Sequence, residues 1–323
     1  MRVACICCST FYFVMKSLWG KGFYYGDTRL TGMHMDKNIR RVKNRSAYFL
    51  LPSVIGVAVF FVLPFFVVIY YSMIDNPISG QFVFLDNFYN VLTNKAFLLA
   101  MLNTFRFSAV AVPLVMLLSL GLAFLLDKKI PGKSRIRAAF LSPMMVPVAS
   151  VILIWQVLFH YNGLLNELVM SFGGGKTDWL KSAYAQIVII LLFVWKNLGY
   201  NMVLFMAALA NIPREVIEAA ELERATKWQI FFHLKLRYLS SSILFVTILS
   251  LINSFKIFRE VYLLTGDYPY ETLYMLQHYM NNMFRSLDYQ KLSAAAILMS
   301  FVMIVLIGIL FFAENVVGKD LDG

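Results

Sequence analysis

From about residue 49 onward the chain alternates long apolar runs with short polar segments. A helix needs about 20 consecutive apolar residues to cross a bilayer core. Six runs qualify: Phe49–Met73, Thr104–Leu126, Ala139–Phe159, Tyr184–Ala210, Tyr238–Phe258 and Leu292–Phe312. Pro52, Pro64, Pro113, Pro143 and Pro147 fall inside them. In a soluble protein these prolines would argue against helix, but within a membrane neighbouring helices re-satisfy the carbonyls that proline leaves free. The pattern predicts an all-α membrane protein with six transmembrane helices.

The polar segments set the direction. The first, third and fifth hold most of the bases: Lys37, Arg40, Arg41, Lys43 and Arg45, then Lys128, Lys129, Lys133, Arg135 and Arg137, then Arg214, Arg224, Lys227, Lys235 and Arg237. The alternate segments are poorer, with Lys95 in one, Lys176 and Lys181 in the next, and Arg285 and Lys291 in the last. Positive residues stay on the cytoplasmic side, so both termini are expected inside, in a multi-pass membrane protein. The predicted organisation is an N-terminal cytoplasmic segment at 1–48, a six-helix transmembrane domain at 49–315 with a cytoplasmic loop at 211–237, and a cytoplasmic tail at 316–323. Met1–His34 shows no stable period and no signal-peptide core. The natural chain is expected to begin at Met33 or Met35, so that 1–34 would not be native.

Composition agrees with a lipid environment. Hydrophobic residues make up 60% and charged residues only 15% of the chain, where soluble domains carry about 25% charged. The net charge of +11 sits in the loops, so it reads as a topology signal and nucleic acid is not an expected partner. Cys5, Cys7 and Cys8 have no second Cys/His cluster to complete a zinc site, and no metal is expected.

The stretch Asn211–Arg237 is more than a connector. Asn211 reads as an N-cap and Pro213 suits a first helical turn. Glu215, Glu218, Glu221 and Glu223 alternate with Val216, Ala219, Ala220 and Leu222. A second start follows at Thr226, with Gln229 three residues on, a capping-box pattern. Two short amphipathic helices with a break near Arg224 are predicted. They lie either on the membrane surface or as a docking element for a cytoplasmic partner.

Glu218 to Arg237, EAAELERATKWQIFFHLKLR, resembles the EAA loop of permeases from binding-protein-dependent ABC importers. Glu218, Ala219, Ala220, Glu223, Ala225 and Leu236 fit the family pattern, whereas Arg224 stands where Gly is usual and Arg237 where Pro is usual. A left-handed residue other than Gly costs about 1–2 kcal/mol, so either Arg224 accepts that strain or the turn differs locally. The likeness extends from about Ala47 to Phe312. NGLLN (Asn162–Asn166), DWL (Asp178–Leu180), Trp195–Pro213, Ser254–Pro269 and LSAAAIL (Leu292–Leu298) are similar, in order and spacing, to the maltose/glycerol-phosphate branch of sugar permeases.

The resemblance implies a type I ABC importer permease fold and a set of partners: a second homologous permease, an ABC ATPase dimer inside, an extracytoplasmic solute-binding protein and the lipid bilayer. It assigns ATPase coupling to Glu218, Ala219, Ala220, Glu223, Arg224 and Ala225, with Glu218 meeting a basic residue of the ATPase. No cofactor is expected on this chain, and ATP with Mg belongs to the partner ATPase. GGGKT (Gly173–Thr177) is not a Walker A loop, because position 170 is Met170 where that motif requires Gly. No catalytic residue is assigned: His34, His160, His233 and His278 are scattered, and neither a HExxH pair nor a nucleophile elbow is present.

Ionisable groups within a bilayer mark function by default. Lys196, near the middle of the fourth run, faces either a watery cavity or polar groups of the partner permease. Lys256, Arg259 and Glu260 are expected to snorkel at the outer end of the fifth run, leaving no well-buried acid in spans two to five. By the resemblance, Leu198, Gly199 and Ser250 coincide in type with sugar-pocket positions of the maltose member, and Met202 and Ser254 occupy two others. Tyr200 and Asn253 join the path on chemistry alone, since sugars are held by aromatic faces and neutral polar groups. The expected function is the membrane-spanning permease of an ATP-driven sugar or oligosaccharide importer, with a non-sugar solute as the alternative. A secondary transporter would show inverted repeats and paired intramembrane acids, and an enzyme would show a catalytic constellation; neither pattern is visible.

Overall fold

A computed structural model describes residues 51–127, 131–267 and 269–318, with side chains to residue 314. The expectations for Met1–His34, the Lys37–Arg45 cluster, the cysteines, Lys128, Lys129 and the end of the tail lie outside the described residues. The chain divides into two compact units at Asn87/Phe88.

In the first unit, α1 (Leu51–Ser72) is an apolar helix of membrane-spanning length with a π-helical turn at Ala58–Val62. Pro64, which has no N–H to give, lies two residues past that turn. Asp75 then organises a short loop by accepting from the amides of Asn76 (2.6 Å) and Gln81 (3.1 Å) and from the Ser79 hydroxyl (2.6 Å). The Ser79 contact is the main reason its carboxyl titrates below the usual range. Asn87 closes the loop by donating to the carbonyls of Ser72 and Ile74.

The second unit opens within α2 (Asp86–Leu92) and continues through α3 (Lys95–Asp127), α4 (Lys133–Met145), α5 (Val148–Leu158), α6 (Leu164–Ser171) and α7 (Ala185–Ala210). After α7 come α8 (Arg214–Leu222) and α9, which runs as Lys227–Gln229, a π-helical Ile230–Lys235 and Leu236–Tyr238. The unit ends with α10 (Ser240–Phe255), α11 (Phe258–Thr265), α12 (Leu276–Arg285) and α13 (Tyr289–Gly318).

Five helical stretches of the described chain are long and apolar enough to cross a membrane, and the bent pair α4/α5 makes a sixth when taken as one span. That pair turns by 95°. The cause is local: Pro147 forces Val146 into an extended conformation (ψ 136°). Pro113 and Pro143, by contrast, sit inside continuous helices. The fifth span runs farther than its apolar run predicts, to Thr265, with a break at Lys256–Ile257 separating α10 from α11.

Apolar packing forms three clusters. One gathers Phe107, Ala111 and Val115 of α3, Ile152 of α5, Ile189, Leu192 and Phe193 of α7, and Val261 and Leu264 of α11. A second joins Ala123 and Leu126 to Met202, Phe205 and Leu209, and to Ile212, Leu239 and Val246 around the α8–α9 loop. The third packs Phe97 and Ala100 against Leu276, Tyr279, Ala294 and Ala295. Because α3 and α7 pass through both of the first two clusters, these stack end to end along the helices.

Candidate functional site: a coupling helix and a polar belt

The α8–α9 loop is built as two helices with a break between them. Asn211 does not cap α8. Helix α7 continues through Ala210, so Asn211 is itself helical and its amide donates to the Ala208 carbonyl at 3.1 Å. An N-cap needs extended backbone, and the first residue to supply it is Pro213 (φ −59°, ψ 132°). Along α8, Ile217 packs on the cluster around Met202. Glu215, Glu218, Ala219 and Leu222 stay exposed on one stripe, with Leu222 85% exposed.

The break is a left-handed helix stop. The Arg224 amide reaches the Glu221 carbonyl and the Ala225 amide reaches back to the Ala220 carbonyl, both at 3.0 Å, a Schellman pair. Arg224 takes the left-handed position with φ 60°. The chain therefore keeps the turn that glycine would make easily, and accepts the strain. Thr226 then opens α9 with a reciprocal capping box to Gln229.

The loop is fastened to the end of α3. Lys235 Nζ lies 3.2 Å from Asp127 Oδ2, the rings of Phe124 and Phe231 stand 4.6 Å apart, and Ile230 is buried. Of the residues expected to couple, Glu218, Ala219, Glu223 and Arg224 are exposed, while Ala220 and Ala225 are half-buried beneath them.

Between the two end-to-end apolar clusters lies a belt of polar contacts joining α7 to the fifth span. Asn201 Nδ2 donates to Ser250 Oγ at 2.8 Å. Asn253 Nδ2 donates to Asn197 Oδ1 at 3.3 Å. Lys196 forms an ion pair with Glu260, and Arg259 Nη2 lies 3.7 Å from the same carboxylate oxygen. The hydroxyls of Ser108 and Ser254 meet at 2.8 Å and carry the belt onto α3.

This corrects the reading of Glu260. It is 4% exposed and paired inside the fifth span, not snorkelling beyond it, so spans two to five do contain a buried acid. The apolar run ends before Glu260, but the helix continues because a basic partner awaits on α7. Lys196 meets this acid of its own chain.

The other path candidates separate onto different faces. Gly199, Met202, Ser250 and Ser254 are buried in contacts within the chain. Leu198, half-buried, follows the exposed line of Ile187, Leu191 and Trp195. Lys196 and Tyr200 share another face with Val203 and Ala207, four, three and four residues apart, and Asn253 is half-buried opposite Asn197. Sequence reasoning missed Asn197, Asn201 and Ser108. The signal was available, since asparagines four residues apart inside an apolar span occupy one helix face and need partners there.

GGGKT is a loop after α6, without the strand-to-helix setting of a phosphate cradle. Buried Asn166 organises it, donating to the carbonyls of Tyr161 and Thr177 and accepting from the Thr177 amide and Trp179 Nε1. Lys176 is engaged with Asn162 Oδ1 at 2.9 Å.

Comparison with known proteins gives concordant results. Residues 115–322 match the family described as binding-protein-dependent transport system inner membrane component. The chain is 29% identical over 297 residues to the trehalose/maltose transport system permease protein MalF of Thermococcus litoralis, covering 88% of this chain and 100% of that one. It is 28% identical over 287 residues to the lactose transport system permease protein LacF of Rhizobium radiobacter, covering 84% and 93%. In fold it matches a chain of the bacterial alginate ABC transporter in complex with alginate pentasaccharide-bound periplasmic protein, with a TM-score of 0.73 over 88% of this chain and 98% of the other, at 19% identity.

Proposed function

The chain belongs to the family of binding-protein-dependent transport system inner membrane components, and from that premise we propose that it pairs with a second homologous permease to enclose the path of a sugar or oligosaccharide. As a member of this family it is a permease component and not an enzyme. A solute-binding protein delivers the sugar from outside, and a separate ABC ATPase dimer, holding ATP and Mg, drives the cycle from inside. Both termini lie in the cytoplasm of a bacterial cell, as the distribution of bases between the loops supports.

The observation that carries this reading is α8: a short exposed helix, acidic on one stripe, set by a Schellman stop and followed by α9, which is tied to the end of α3. Such a helix suits insertion into a cleft of another subunit, with Glu218 offering its carboxylate to a basic group there. Ala219 and Ala220 keep the contact small, while Glu223, Arg224 and Ala225 form the stop that sets its angle.

Saccharide as cargo is supported by the names of the relatives, which concern trehalose/maltose and lactose, and by the alginate transporter of like fold. Tyr200 and Asn253 supply an aromatic face and an amide to the path, while Lys196 is held aside by Glu260. Leu198, Gly199, Met202, Ser250 and Ser254 shape the helices around it. Uptake of a panel of radiolabelled mono- and oligosaccharides by proteoliposomes holding the whole transporter tests the reading. ATP-dependent accumulation of a saccharide is expected, and the chain purified alone should hydrolyse no ATP. Accumulation only of a non-sugar solute would overturn the assignment of cargo.

A further inference from the structure

The fifth span is two helices, and its outer piece α11 is cut off from α10 at Lys256–Ile257. A break in the hydrogen-bond ladder weakens the passage of force along a helix axis. Helix α7 has no such break: it runs for 26 residues from Ala185 to Ala210 and leads through three residues directly into α8. Lys196 sits on α7 about 21 Å from the Ala210 end, at 1.5 Å per residue, and there it pairs with Glu260 of α11.

The pair is a deliberate expense. Two charges in the interior of a membrane protein are costly to desolvate, and replacing a buried pair by apolar side chains is often neutral or better for stability. Stability alone therefore does not explain it. Removing a single partner does cost, since it leaves a charge uncompensated. The Glu260 side chain is 5% and the Lys196 side chain 23% exposed, so the acid is enclosed while the ammonium keeps an open side.

We propose that the Lys196–Glu260 ion pair is the mechanical link that carries motion of the coupling helix, through α7, to the outer half of the broken fifth span. Glu260 is the positioning residue of this link. The inference rests on the proposed importer function and deepens it. Around the pair, Val261 and Leu264 of α11 share an apolar cluster with Ile189, Leu192 and Phe193 of α7, but α11 lies chiefly against α5, where Gln156 Nε2 donates to the carbonyls of Leu263 and Leu264. Apolar contact resists sliding weakly; the ion pair, directional and enclosed, ties α11 directly to α7 and fixes their register.

The test uses the whole transporter in proteoliposomes with its loaded binding protein, reading solute uptake and ATP hydrolysis together. Wild-type accumulation of a saccharide establishes the importer reading first; its absence would count against that reading and not against the link. Lys196→Met and Glu260→Gln are expected to keep binding-protein-stimulated ATP hydrolysis within about threefold of wild type. Both should lower solute imported per ATP at least tenfold, with the KM for uptake unchanged. Lys196→Arg, which keeps the charge, should retain at least half of the wild-type ratio. Where either single variant fails to assemble, Lys196→Met/Glu260→Gln, which leaves no unpaired charge, takes its place and should show the same uncoupling. A raised KM with unchanged maximal uptake in Lys196→Met would make Lys196 a solute ligand and overturn the proposal. Wild-type stoichiometry in Glu260→Gln or in the double variant would overturn it equally.

Discussion

Gly199 of α7 rests against the backbone of Phe140 in α4 so closely that a Cβ at position 199 would stand 1.9 Å from the Phe140 carbonyl oxygen and 2.4 Å from its carbon. Small residues are how membrane helices bring their backbones together, and here the contact joins the fourth span to α4, the first arm of the bent third. The obstruction is backbone, so no side-chain rotation relieves it. Gly199→Ala should cost more than the 1–3 kcal/mol typical of overpacked sites. The expected result is a fall of several degrees in apparent melting temperature of the purified protein, or loss of folded material in detergent size-exclusion chromatography. A melting temperature equal to wild type would refute the close approach.

Arg224 makes the opposite prediction. It holds φ at 60°, a conformation that costs a non-glycine residue about 1–2 kcal/mol, and its side chain is exposed. Arg224→Gly should relieve the strain, slow amide hydrogen exchange at Ala225 severalfold, and leave uptake at wild-type level. Arg224→Val should do the reverse, because β-branched residues tolerate this region worst. Faster exchange in the glycine variant would show that the Arg224 side chain contributes to the stop.

How much of this was legible in the chain? The six apolar runs, the two-helix loop and the Thr226 capping box follow from period and capping chemistry, which are local. Helix ends were less legible. Val146–Pro147 bends the third span, whereas Pro113 and Pro143 leave their helices intact, and the presence of proline does not by itself distinguish these cases. Glu260 was misread because its burial depends on Lys196, 64 residues away; a hydropathy window sees a charge but not its partner. Asn211 was misread for a related reason, since the preceding helix ran on and used the position first.

A pH dependence follows from the segment between the last two spans. His278 is 1% exposed, and burial pushes its pKa from 6.5 down to about 4, with Asp267 opposing the shift. Its Nδ1 accepts from the Met275 amide, so the folded chain holds it neutral. Between about pH 6.5 and pH 4 the unfolded chain binds the extra proton and the folded chain does not, so stability falls as pH falls through that window. The loss at pH 5 is about 2 kcal/mol for this one group. The difference in apparent melting temperature between pH 7.5 and pH 5.0 should shrink in His278→Gln. An unchanged difference would assign the acid sensitivity to other groups.

The tie between Lys235 and Asp127 is partly exposed, at 23% and 40% of their side chains. Exposed pairs contribute about 0–1 kcal/mol, so Asp127→Asn should leave the melting temperature within about two degrees of wild type. Its effect should fall on coupling instead, with ATP hydrolysis kept and uptake lowered severalfold if the tie sets the angle of the loop. Equal uptake in the variant and the wild type would leave Phe124 and Phe231 as the working contact.

The central claim is that α8 grips an ATPase that this polypeptide lacks, and Glu218→Lys in the assembled transporter tests it most directly. The variant should insert in the membrane and pair with its fellow permease in normal amounts. Co-purification of the ATPase should fall at least tenfold, and ATP-driven uptake should be lost with it. Normal ATPase association together with normal uptake in Glu218→Lys would contradict the account.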